Sequence, residues 1–153
     1  VKVDETAPEQ GTVYKGCYVL KSEQSAVSGN ITIVTLLAPK SKSSLKFNAD
    51  DQADVKKAVD AGIAELAVEG VDGWRLPTKG EMEYIMDNKA DINNNLKTLG
   101  LELIYRSPND IYYILDTDNK IMCMNEVKSS FPPSSGKAGR NLRPVATVTF
   151  LKK

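Results

Sequence analysis

Few residues in this chain are placed to do chemistry, and the densest group is the run Gly73-Trp74-Arg75-Leu76-Pro77-Thr78 with Glu81 after it. An indole stacks on sugar rings and a guanidinium forks onto carboxylates, so Trp74 and Arg75 together suit a ligand platform. The same residues also have a structural explanation. Thr78-Lys79-Gly80-Glu81 fits a capping box, in which the Thr hydroxyl accepts from the N3 backbone N–H and the Glu reaches back to the Thr N–H. On that reading the run is a strand-to-helix junction: Trp74 fills the core, Arg75 ties loop carbonyls together and Pro77 stops the strand. This is the preferred reading. Glu81 and Glu83 lie two apart on a helix start and do not face each other, so they form no acid–base pair.

A second set of candidates lies in two irregular stretches. Tyr105, Arg106, Asn109 and Asp110 precede a strand-like run, and Lys128, Lys137, Arg140 and Asn141 belong to a polar segment, 126–141, that holds Pro132-Pro133 and Ser134-Ser135-Gly136. Breaker-rich loops of this length in a small domain tend to be functional or disordered, so these residues are the expected ligand contacts. Asp116-Thr117-Asp118-Asn119 opens like a calcium loop. Lys120 then stands at its fifth position and neither the Gly nor the distant Glu follows, so a solvated hairpin turn is expected, with no metal or cofactor. Tyr112 and Tyr113 alternate across one strand, which predicts one in the core and the other exposed as a contact.

The chain of 153 residues contains no His, which removes Ser-His and Cys-His nucleophile pairs and imidazole-ligated zinc. Twenty Lys and Arg balance twenty Asp and Glu, and the lysines are scattered, so no basic field is available for nucleic acid. The longest apolar run, 31–38, contains two Thr and is far too short to span a bilayer. The chain opens on Val1 rather than Met, which fits either removal of a leader or a trimmed chain and is compatible with an exported protein. Cys17 and Cys123 are too few for a disulfide framework and sit among apolar neighbours. They are expected as buried thiols, with a bridge left open as the alternative.

These features must be positioned by one core, which a chain of this length can build. Residues 1–10 read as a flexible tail and 11–153 as a single domain. Strands are expected over 12–20 and 31–37. The clearest helix spans 50–69, with Val55, Val59, Ile63 and Leu66 on one face and Gly70 as its stop. A helix over 79–88 and another over 91–99, ended by Gly100, should follow the Trp-Arg-Leu-Pro turn. A strand over 101–105, a hairpin of 111–115 with 121–125, and a terminal strand over 142–150 complete the order. Leu142, Ala146, Val148 and Phe150 should share one face of that last strand, and Arg143, Thr147 and Thr149 the other. Strands, then helices, then strands argue for an α+β fold with mainly antiparallel pairing.

Gly73-Trp74-Arg75-Leu76-Pro77-Thr78 with Glu81, and the closing Leu142-Arg143-Pro144-Val145, resemble the bacterial C-type-lectin-like domains of the "major paralogous domain" family. Formylglycine-generating enzymes and retroelement variable proteins are relatives at the level of fold. The resemblance implies a sheet with two flanking helices, paired N- and C-terminal strands, and a long irregular loop before the last strand that carries binding. Strand 12–20 would then lie beside 143–150, and 126–141 would be the displayed loop. It also implies a non-enzymatic binding or adhesion module of a secreted protein or lipoprotein at the cell surface, of the kind found in Bacteroides-type bacteria. A glycan or protein ligand and a lipid-anchored precursor go with that role. Tyr105-Arg106-Ser107 replaces the family's Tyr-Trp-Ser-Ser, and the calcium-lectin signatures are absent. The alternatives are an assembly domain of a larger surface or pilus-like protein and, with only isolated cysteines to support it, a divergent formylglycine-type enzyme.

Overall fold

Two short mixed sheets share the work of building the core, and the computed structural model describes them through residues 1–43, 45, 47, 51–104, 111–124 and 140–153. In chain order the strands are β1 (Lys2–Val3), β2 (Val13–Tyr14), β3 (Cys17–Gln24), β4 (Ile31–Leu37) and β5 (Lys42–Ser43). Helices α1 (Gln52–Leu66), α2 (Lys79–Asp87) and α3 (Lys89–Leu99) follow. Then come β6 (Ile111–Leu115), β7 (Ile121–Met124), β8 (Arg140–Leu142) and β9 (Val145–Leu151). The first sheet runs β1-β9-β4-β3-β2 and the second β5-β8-β6-β7. The β1–β9 and β6–β8 pairs are parallel and the rest antiparallel. The fold is α+β, with the three helices that the residue pattern predicts rather than the two flanking helices that the resemblance implies.

The layers follow from which faces are apolar. Tyr18, Leu20 and Leu37 of the first sheet meet Tyr112, Ile114 and Met124 of the second across a core capped by α2 and α3. The opposite face of the first sheet buries Cys17, Val19, Val34 and Phe150 beneath Val71 and Trp74. The opposite face of the second sheet buries Ile111, Tyr113, Ile121 and Cys123 against Val55 and Val59 of α1. Both sheets are therefore covered on both sides where these clusters meet them, and β6 up to Ile114 and the first half of β3 are continuously buried. This overturns the expectation that one of Tyr112 and Tyr113 is exposed: both are fully buried, because α1 occupies the side that would otherwise face water.

Several boundaries differ from the sequence reading, each for a local reason. The expected strand 12–20 is a tight hairpin, turned by Lys15 at φ 49° and Gly16 at φ 83°. Positive φ at both central residues is the type I′ signature that matches strand twist. The turn also resets the side-chain phase, so Tyr14 joins Cys17 and Val19 on one face while Val13 is left exposed. The first residues are not a loose tail. Lys2 and Val3 pair with Phe150 and Leu151, Asp4 N–H donates to Leu151 O at 2.8 Å, and Ala7 packs on the core. Strand β3 does not pair with β9; β4 lies between them in full register with the last strand.

Helix α1 begins where Asp51 caps it by accepting from the N–H groups of Ala53 and Asp54, and it stops at Ala67 rather than at Gly70. Helix α3 does end at Gly100, which sits in the left-handed region. Residues 101–104 form no strand. Asn93 of α3, itself buried, takes the place of a ladder partner: its Nδ2 donates to Ile104 O at 2.9 Å and its Oδ1 accepts from Ile104 N at 2.7 Å.

The expected terminal strand is two strands in two different sheets. The chain crosses from β8 to β9 at Arg143-Pro144, and Arg143, predicted on a polar face, is completely buried in that corner. Its Nε donates to Ala38 O at 2.6 Å, Nη2 to Glu102 O at 2.9 Å and Nη1 to Leu103 O at 3.4 Å, with Glu102 Oε2 3.5 Å from Nη1. Glu102 Oε2 also accepts from the Ser41 backbone N–H and hydroxyl. Methionine has the length of this side chain but none of its donors. Arg143→Met should therefore lose about 3 kcal/mol of stability in urea denaturation, because three carbonyls and a carboxylate lose their partner together.

Glycine supplies a second test of packing. A Cβ at Gly62, midway along α1, would come within 2.6 Å of Leu142 Cδ2, whereas one at Gly80 in α2 would meet nothing within 4 Å. Helix propensity alone favours Ala at both sites by about 1 kcal/mol. Gly80→Ala should raise the urea midpoint. Gly62→Ala should lower it, since overpacking a filled core costs about 1–3 kcal/mol.

Candidate ligand-binding site

The segment after Gly73 is held to both sheets before it enters α2. Arg75 and Val145 exchange backbone hydrogen bonds, both at 2.9 Å, and Leu115 N–H donates to Pro77 O at 2.9 Å. The capping box predicted at Thr78 is present in both directions: Glu81 N–H donates to Thr78 Oγ1 and Thr78 N–H to Glu81 Oε1. The Arg75 guanidinium grips the same carboxylate through two bonds, 2.6 Å to Oε1 and 2.9 Å to Oε2. It also donates to Leu76 O and to Thr147 Oγ1. Both terminal nitrogens are therefore engaged within the fold, and Arg75 is a strut. Burial alone would raise the pKa of Glu81, but the hydrogen bonds from Arg75 and Thr78 outweigh it and hold the carboxyl below its ordinary value.

Trp74 has two roles. Part of the indole packs against the cluster around Cys17 and Val19, and part lines an open cleft. Its Nε1 is covered and has no acceptor among the described residues, an arrangement that costs about 1–3 kcal/mol and that native folds rarely retain.

The cleft has a volume of 510 Å³, within the range of small-molecule sites. One wall is α1, through Val59 and Ile63. The other is the end of the β6–β7 hairpin, through Leu115 and Ile121, with Trp74 and Leu76 between them. Exposed polar groups ring the opening: Gln52, Lys56 and Asp60 on α1, Asn119 and Lys120 on the hairpin turn. Lys56 and Asp60 pair with each other. The turn that carries Lys120 is built as expected of a solvated hairpin. Asp116 Oδ1 accepts from the N–H groups of Asp118 and Lys120, and Asn119 adopts φ 60°.

Of the ligand contacts expected from sequence, Tyr105, Arg106, Asn109, Asp110, Lys128 and Lys137 lie outside the described residues. Arg140 is described only as a strand residue opposite Ile111. Asn141 belongs to no displayed loop: it is 2% exposed in β8, between Ser43 and Tyr112. The cleft was missed because Val59, Ile63, Leu115 and Ile121 read as ordinary core positions. The available signal was Trp74 with Arg75, named together as a possible platform, and both line the cleft. Cys17 and Cys123 are both buried, in different sheets and without a disulfide, and burial pushes the Cys17 thiol up to about 11. No group of metal-ligating side chains occurs among the described residues, and no helix there is long and apolar enough to cross a membrane.

Comparison with family models, curated proteins and solved structures finds no match for this chain.

The Glu81 carboxylate makes stability depend on acid. Its folded pKa lies below the unfolded one, so its contribution is complete above the ordinary Glu value of about 4.3 and is lost as pH falls through the lowered folded value. Urea midpoints measured down that range should fall more steeply for the native chain than for Glu81→Gln. At neutral pH the variant should already be less stable by about 2 kcal/mol, having lost charged hydrogen bonds to Arg75 and to the Thr78 N–H.

Proposed function

We propose that this chain is a non-enzymatic, C-type-lectin-like binding module that acts outside the cell, and that its ligand enters the cleft between α1 and the β6–β7 hairpin. The observation that carries the reading is the cleft itself, an opening of 510 Å³ with apolar walls, a partly exposed indole and a polar rim. Concave sites of this kind bury most of a small ligand and orient it with a few polar groups. The family reading is supported by the Gly73 to Glu81 junction, with its capping box and Arg75 grip; the strand beside β9 is β1, not the expected strand 12–20. The parallel sense of that pair and the third helix depart from the expected pattern. The lipoprotein role and surface location rest on the resemblance. The cleft needs none of it.

Trp74 is the only tryptophan in the chain, so its indole N–H gives a single, assignable NMR signal at the site. A fragment screen should yield binders that shift this signal together with Ile63 and Lys120 and that compete with one another. An exposed rim residue supplies the control: Asp60→Tyr, which crowds the opening, should weaken them about tenfold or more while the fold is unchanged. Binders whose shifts all fall away from Trp74 and α1 would overturn the assignment.

A further inference from the structure

We infer that the cleft is selective for small hydrophobic monocarboxylates, the acid end resting at Lys120 and the hydrocarbon body against Val59, Ile63, Leu76, Leu115 and Ile121. This inference rests on the cleft being a ligand site and adds the chemistry of what fills it.

The charge balance of the lining decides between an acid, a base and a neutral ligand. Among the described residues, four charged side chains line the cleft: Lys56, Asp60, Arg75 and Lys120. Lys56 is paired with Asp60, and Arg75 with Glu81. Lys120 forms no ion pair among the described residues. Asp116 and Asp118 belong to the same turn. Asp116 directs its Oδ1 to backbone N–H groups, and neither aspartate lies within ion-pair distance of the lysine. Among the described residues, one ammonium without an ion-pair partner therefore stands at the mouth of a hollow with apolar walls. A ligand complementary to that pattern carries one negative charge at one end and hydrocarbon at the other. A dianion would gain no second cation, and an amine would meet Lys120 as a like charge. Carbohydrate fits less well, because six of the lining side chains, Val59, Ile63, Trp74, Leu76, Leu115 and Ile121, offer it no hydrogen-bond partner within reach of the body of the cleft.

The test uses the intact chain and the fluorescence of Trp74, read for octanoate, octanol, octylamine and acetate, all below micelle-forming concentrations. Octanoate should give a saturable change and bind about fivefold more tightly than octanol, the ratio expected of one exposed charge pair. Acetate should give none, and octylamine should bind most weakly of the three long probes. Lys120→Gln should bring octanoate to the level of octanol, and Lys120→Glu should reverse their order. Added salt should weaken octanoate alone. Equal binding of octanol and octanoate, unchanged in Lys120→Gln, would overturn the acid selectivity while leaving the cleft as an apolar site. No response of Trp74 to any long-chain probe would overturn both. A peptide ending in Leu with a free carboxylate that binds more tightly than octanoate would reassign the site to a polypeptide C-terminus and overturn the small-molecule source.

Discussion

The fold depends on the nine residues from Gly73 to Glu81 being fixed at three points at once. Arg75 exchanges backbone bonds with Val145 of the first sheet, Pro77 accepts from Leu115 of the second, and Glu81 closes the start of α2. Each contact alone is an ordinary hydrogen bond, worth about 1 kcal/mol net. Their combination fixes the separation of the two sheets, because a stretch of four extended residues spans only about 13 Å. The guanidinium of Arg75 adds a side-chain brace from Glu81 to Thr147. With the sheets held at that spacing, the core between them fills with Tyr18, Leu20, Tyr112 and Ile114, and α1 is left to cover the far side of the second sheet. The cleft is a consequence of that division of labour.

Buried polar side chains take over where regular pairing stops. At the corner between β8 and β9 the chain leaves one sheet for another, and Pro144 has no N–H to give. Arg143 supplies donors to Ala38, Glu102 and Leu103 there. Asn93 does the same for Ile104 with one donor and one acceptor. Both side chains lie in places where water is excluded, so leaving backbone carbonyls without them would be costly.

Local chemistry was legible in the sequence and long-range pairing was not. The capping box at Thr78, the three helices near their true positions, the hairpin around Asp116 to Lys120 and the left-handed stop at Gly100 all follow from residues within a few positions of one another. The failures share a cause. Nothing near Tyr112 and Tyr113 in the chain announces that α1 will cover the second sheet, so an exposed face was expected. Lys15-Gly16 is a weaker hairpin signal than Asn-Gly, and the strand through it looked continuous. A short N-terminal run of Asp, Glu and Pro gave no sign that Lys2 and Val3 would extend the sheet beside Phe150 and Leu151. The candidate site divides the same way. Trp74 could be singled out by type, but the hollow beside it arises where α1 meets a hairpin more than fifty residues further on.

The placement of β1 against β9 has a mechanical consequence. The two strands run in the same direction, one beginning at the first residues and the other finishing at the last, and Lys153 N–H donates to Asp4 Oδ1 across them. A pull on opposite ends of the polypeptide would drag these neighbours past each other lengthwise, straining their cross-links together rather than unzipping them singly. With only two residues paired on β1, that seam would slip early. The antiparallel junction of β9 with β4, seven residues long, would then take the tension.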